Sequence, residues 1–169
     1  INPLIRNAWF DWGIVRMMQG QYDQATEAFT NVAELDAETS ALYYIEHLNS
    51  TDWDMLEVSP ATLEAAFAQH SALRQAYGDS YKALGITYFT HGTLNQQPAL
   101  IQRAEQVLIE IKNIVPQDAT IANHLGYTYF LQQRLDAAEV EFTEALSLKP
   151  DFADAQNNLG LMLKSQGRL

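Results

Sequence analysis

Cysteine is absent from this 169-residue chain, which removes disulfides, thiolate metal sites and cysteine nucleophiles at a stroke. That absence suits a reducing or an oxidising compartment equally, so it leaves localisation open. Basic residues are scarce: 10 Lys and Arg stand against 21 Asp and Glu, a formal net charge of -11. A nucleic-acid surface gathers Lys and Arg against phosphates, and the few here are scattered, which argues against such a partner. No apolar run approaches the roughly 20 residues of a membrane-crossing helix, and no basic stretch followed by an apolar one marks a leader. Nor does any segment alternate apolar and polar residues long enough to propose a strand. An all-α fold is what remains.

Catalytic patterns are equally thin. His47, His70, His91 and His124 are spread along the chain, with no His-Glu-x-x-His and no pair at helical spacing, so no metal site is expected. There is no Gly-rich phosphate loop and no Gly-x-Ser-x-Gly. These gaps predict a protein that is not an enzyme and needs no cofactor. Asp52, Asp54 and Glu57 cluster around Trp53, but Thr51-x-x-Asp54 reads more simply as a helix-capping box.

What the chain does have is a spacing that occurs twice. Residues 6–39 carry Trp9, Trp12-Gly13, Gly20, Tyr22, Ala25, Phe29 and Val32; residues 119–152 carry Leu125-Gly126, Tyr129, Leu135, Ala138, Phe142, Ala145 and Pro150. Intervals of three and four put Trp9 and Trp12-Gly13, or Leu125-Gly126 and Tyr129, on one face of a first helix, and Ala138, Phe142 and Ala145 on one face of a second. Gly13, Gly126 and Ala138 are small where two helices would cross closely. Each unit therefore predicts an antiparallel helical hairpin, and a single hairpin cannot bury its own apolar faces, so neighbours must stack.

The rest of the chain yields further units. Residues 78–118 contain Tyr81, Leu84-Gly85, Tyr88, Ala104, Leu108 and Pro116, with about seven extra residues that Gln97-Pro98 suggests are a longer turn. Residues 153–169 supply Leu159-Gly160 and Leu163, one first helix. Residues 40–77 fit worst: Glu46 and His47 occupy the Leu-Gly slot, and the expected hairpin is 39–49 and 60–77 with a long connection carrying Trp53 and Met55. Ser59-Pro60 and Asp118 are good helix starts, and Gly20, Gly78, Gly92 and Gly167 good stops.

The period of 34 with Trp-x2-Leu-Gly-x2-Tyr, Ala-x3-Phe and Pro resembles the tetratricopeptide repeat family. The resemblance implies a right-handed superhelical solenoid of antiparallel hairpins whose first helices line a concave groove. Carried over slot by slot, it implies groove residues Phe10, Ile14 and Met17 in the first unit and Lys82, Ile86 and Phe89 in the third. The fourth unit gives Asn123, Tyr127 and Phe130, and the fifth Asn157, Leu161 and Lys164. This surface is mostly apolar, and its few basic residues do not suit a carboxylate clamp. Aromatics at helical spacing also suit plain core packing, a reading that stands beside the groove for Phe10, Phe89 and Phe130.

The function implied is a scaffold binding a partner peptide or helix in that groove; the alternative is a substrate-recruiting domain of a larger enzyme or assembly factor. Leu169 falls where a second helix would open, which predicts that the chain is part of a longer protein. The final helix would then leave Leu159, Met162 and Leu163 uncovered and prone to self-association.

Overall fold

The computed structural model describes residues 6–34 and 58–168, which form eight helices and no strand. They are α1 (Arg6–Met18), α2 (Tyr22–Glu34), α3 (Pro60–Gln69), α4 (Ser71–Leu94), α5 (Pro98–Ile114), α6 (Ala119–Leu131), α7 (Leu135–Leu148) and α8 (Ala153–Ser165). The expected helix at 39–49 and the Trp53 and Met55 connection lie outside the described residues.

Three hairpins stack in order, α1 with α2, α4 with α5 and α6 with α7, and α8 closes on α7. What sets each crossing is a glycine facing a bulky side chain. A Cβ at Gly13 would stand 2.5 Å from the Phe29 ring, and one at Gly126 would stand 2.7 Å from Phe142. The interval from glycine to ring is the same in both hairpins. At Gly85 the facing residue is Leu108, with its Cδ2 2.9 Å from the position a Cβ would take. That leucine sits seven positions later than the ring does in the other two, so seven residues have been added within this hairpin.

The addition is helical, although the sequence suggests a longer turn. In α1, α6 and α8, each 13 residues long, the helix runs from seven residues before its glycine to five after. By that measure α4 gains residues 91–94 at its end, and α5 starts three residues early, at Pro98. The turn itself keeps three residues, as in the other hairpins. In each, the last turn residue returns an amide hydrogen bond five residues back: Gln21 to Arg16, Gln97 to Gly92 and Arg134 to Tyr129, all 2.9 Å. The middle residue is left-handed, with φ of 72° at Gly20, 52° at Gln96 and 61° at Gln133. This is a Schellman-type closure, in which the helix's last carbonyls find donors.

Gly78 does not stop a helix, and helix 60–77 does not exist as one piece. The chain breaks at His70, whose backbone is extended, and α4 then runs unbroken for 24 residues through Gly78 and Gly92. Both glycines serve close approach: a Cβ at Gly78 would lie 3.1 Å from Val115 Cγ2, and one at Gly92 2.7 Å from Ile101 Cδ1. Moreover, α2 packs directly on α4, and residues 60–69, the described start of the expected second arm, do not come between them. Instead α3, capped by the Ser59 hydroxyl on the Thr62 amide, rests against α4, burying Leu63, Ala66 and Phe67. Residues 71–77 extend α4 about two turns ahead of the standard start to receive it.

Candidate functional site

The first helices of the hairpins, α1, α4 and α6, and α8 after them, carry the slots that the repeat pattern assigns to a groove: three before, one after and four after each glycine. Their exposure differs from unit to unit. Phe10, Ile14 and Met17 are fully buried, so they are not groove residues in this structure. The cause is Phe10's company: its ring lies 5.4 Å from Phe29, 5.5 Å from Tyr77 and 5.3 Å from Tyr81, and Tyr77 comes from the extension of α4. Asn123 is also buried, and its side-chain oxygen accepts a hydrogen bond from Asn158 Nδ2 on α8 at 3.0 Å. It ties α6 to α8, where the repeat pattern suggests an edge amide open to a partner. Asn157, Leu161 and Lys164 are not buried, and Leu161 is the most open apolar side chain among them.

Between these extremes lies a half-buried row. Phe89 meets His124 edge-on at 5.4 Å and Tyr127 at 5.4 Å, and Tyr127 meets Phe130 at 5.8 Å. One ring comes from α4 and three from α6, so the row bridges two repeats. The His124 ring is fixed by Nδ1 against the Thr120 carbonyl at 2.9 Å; a carbonyl only accepts, so Nδ1 carries the proton and the neutral ring keeps Nε2 as an acceptor. Burial holds its pKa below the ordinary histidine range. His124 is not among the groove slots that the repeat pattern implies. Its place in the row follows from spacing, three residues before Tyr127 and six before Phe130.

Lys82 and Ile86 line a neighbouring cleft of about 470 Å³ between α2 and α4. Lys82 is not a free cation. Its Nζ donates to Asp118 Oδ2 at 2.8 Å and lies 3.6 Å from Asp79. Asp118 is itself the N-cap of α6, its Oδ1 accepting from the amides of Thr120 and Ile121. Burial pushes the Lys82 pKa down and the Asp118 carboxyl up, but their mutual hydrogen bond and charge reverse both, leaving the lysine raised and the aspartate lowered. Such a locked pair offers little to an incoming acidic tail. Among the described residues no three metal-ligating side chains gather, and no helix is long and apolar enough to cross a membrane.

Repeated hairpins with a glycine-to-ring crossing and a common three-residue closure define an all-α helical-repeat solenoid. Residues 126–167 match a family model described as TPR repeat. Two solved structures titled MamA AMB-1, in different crystal forms, are similar to it: 21% and 20% identity over 96% of this chain, covering 83% and 90% of theirs, with TM-scores of 0.47 and 0.48. No curated protein matches it.

Proposed function

We propose that the chain holds a partner segment, an extended peptide or an amphipathic helix, along the inner face of α4 and α6, and that it is not itself an enzyme. The observation that carries this reading is the half-buried row of Phe89, Tyr127 and Phe130, rings held in place by packing yet open on one side. Preset aromatics supply contact area at low entropic cost, and such residues dominate binding energy at interfaces. With Lys82 tied to Asp118, affinity for a partner here depends weakly on salt. Whether the scaffold serves a larger enzyme or assembly factor as its substrate-recruiting part is decided by what its partner is.

The test is selection of a peptide by display on the intact chain, followed by NMR mapping. The expected result is perturbation centred on Phe89, Tyr127 and Phe130, and loss of binding in the Phe89→Ala plus Tyr127→Ala variant with little change in melting. Selected peptides that bind the double variant equally well would overturn the proposal.

A second reading, self-association through α8, rests on Gly160. Nothing lies within 4 Å of a Cβ there, whereas the equivalent glycines each face a ring or leucine. Leu161 is exposed and Leu159 and Leu163 are half-buried, although Met162 is fully buried. Sedimentation at rising concentration should show a dimer that Gly160→Arg abolishes; a strictly monomeric chain would rule this out.

A further inference from the structure

A second cavity, of about 580 Å³, opens between α3, the first turns of α4 and the far end of α5. It is separate from the aromatic row: its α4 residues, Tyr77 and Tyr81, precede Phe89 by two to three turns. Leu63 and Phe67 of α3, the two tyrosines, and Ile114 of α5 give it an aromatic and aliphatic lining. The rings are mutually fixed, Phe67 lying 5.6 Å from Tyr77, and Tyr77 stacked on Tyr81 at 5.4 Å and 18°. Leu63, Phe67, Tyr77 and Tyr81 are buried, so the lining does not rearrange cheaply.

One acid on this lining makes no ion pair among the described residues. Glu110 accepts a hydrogen bond from the Tyr81 hydroxyl and is exposed, whereas Glu64, Glu105, Glu139, Glu141 and Glu144 are each paired to Lys or Arg. Arg103, about two turns before Glu110 on α5, also lines the cleft, but its Nη1 donates to Gln106 at 3.2 Å. The tyrosine hydroxyls do not ionise to compete: burial above all, then Glu110, pushes both pKa values well above the usual tyrosine range. The Tyr81 proton therefore stays on the bond that orients the Glu110 carboxylate. A carboxylate oriented at the edge of an apolar wall offers a cation a fixed hydrogen-bonding partner, while the wall takes the apolar stem that carries the cation.

We propose that this cleft is a binding site for a lysine or arginine side chain of a partner segment, with an adjoining apolar residue seated on Leu63 and Ile114. The carboxylate recognises the cation, and the apolar lining takes its neighbour. The formal charge of -11 on the chain favours a basic partner over an acidic one. The site goes beyond the inner-face groove and does not depend on it.

The experiment uses the intact chain and two probes, N-acetyl-leucyl-arginine methylamide and its neutral citrulline counterpart, titrated while side-chain NMR signals of Leu63, Ile114, Tyr77 and Tyr81 are followed. The arginine peptide should shift these signals, the citrulline peptide should bind about tenfold more weakly, and rising salt should weaken only the former. Glu110→Gln should reduce arginine binding to the citrulline level. Should that variant unfold, Tyr81→Phe, which keeps the ring and frees the carboxylate, should still weaken the arginine peptide, and the comparison on the unaltered chain stands by itself. Equal binding of the two peptides, or shifts confined to Phe89 and Tyr127, would overturn the proposal. The Phe89→Ala plus Tyr127→Ala variant should leave cleft binding intact, so failure at one site is distinguishable from failure at the other.

Discussion

Arg168 reaches back 29 residues to Glu139, placing Nη2 2.9 Å from Oε1 and Nη1 on the other carboxylate oxygen. Arg134 reaches Glu105, also 29 residues earlier, through Nη1 alone at 2.6 Å, the other carboxylate oxygen accepting from Gln132, and each member of the first pair stands one repeat period after its counterpart in the second. An arginine at the end of the turn that follows a first helix thus clips the second helix of the preceding repeat. The guanidinium of Arg134 also lies 4.2 Å from the centre of the Tyr129 ring. Exposed pairs of this kind contribute little individually, so they mark register more than they supply stability.

The glycine crossings give a direct contrast. Gly126→Ala would force a methyl into the Phe142 ring, and overpacking of that type costs about 1 to 3 kcal/mol. Gly160→Ala meets open space and gains roughly 0.5 to 1 kcal/mol from helix propensity. Thermal melts of the two variants should move in opposite directions from the parent chain.

The left-handed turn residues make a second contrast. Gln133 holds φ at 61°, a conformation that costs an L side chain about 1 kcal/mol and glycine almost nothing. Gln133→Gly should raise the melting temperature. Gln133→Val should lower it, since a β-branched side chain tolerates that region worst. Differential scanning calorimetry of the pair checks the sign.

Phe10 and Leu161 occupy nominally related faces and should behave oppositely. Phe10→Ala removes a fully buried ring from a cluster of four, a change worth roughly 3 to 5 kcal/mol. Leu161, 47% exposed, should tolerate alanine with little effect on stability. Urea denaturation of the two variants measures both.

Stability should fall with acid in the range where histidine titrates. Burial lowers the folded-state pKa of His91 and His124 below the ordinary 6.5, so below that value the unfolded chain binds more protons than the folded one. Their contribution is fully present above about pH 6.5 and is lost as pH drops through the folded values. Asp118, whose pKa is lowered from 3.8, adds a further loss at more acidic pH. Melts at pH 7.5 and 5.5 should differ, and His91→Gln should narrow the difference.

The repeat spacing was legible because two helices can cross closely only where a small residue meets a large one, and that constraint leaves Gly13 with Phe29 and Gly126 with Phe142 at equal intervals. The size of the third unit's enlargement was legible too, but its form was not: seven residues fit a loop or two extra part-turns of helix equally well. Gly78 and Gly92 misled because a glycine needed for close packing has the same letter as one needed for a turn. Phe10 could not be placed by local pattern, since the ring that covers it, Tyr77, belongs to a helix two repeat periods further along the chain. The same holds for Asn123, whose partner Asn158 sits on α8. The Phe89 to Phe130 row was largely visible, because its slots recur with the repeat and its neighbours come from adjacent units.

Residues 91–94 and 98–100 lengthen the two arms of one hairpin by nearly equal amounts while its three-residue closure is kept. Helices that run antiparallel can change length only in step, or the closing turn no longer meets both ends. About one turn on each arm, roughly 5 to 6 Å, moves the closure outward and leaves the seam behind it unaltered. Such a hairpin is extensible like a telescoping bracket: matched insertions or deletions of about seven residues, split four and three, are the size changes this architecture absorbs, and unmatched ones of two or five would shear it.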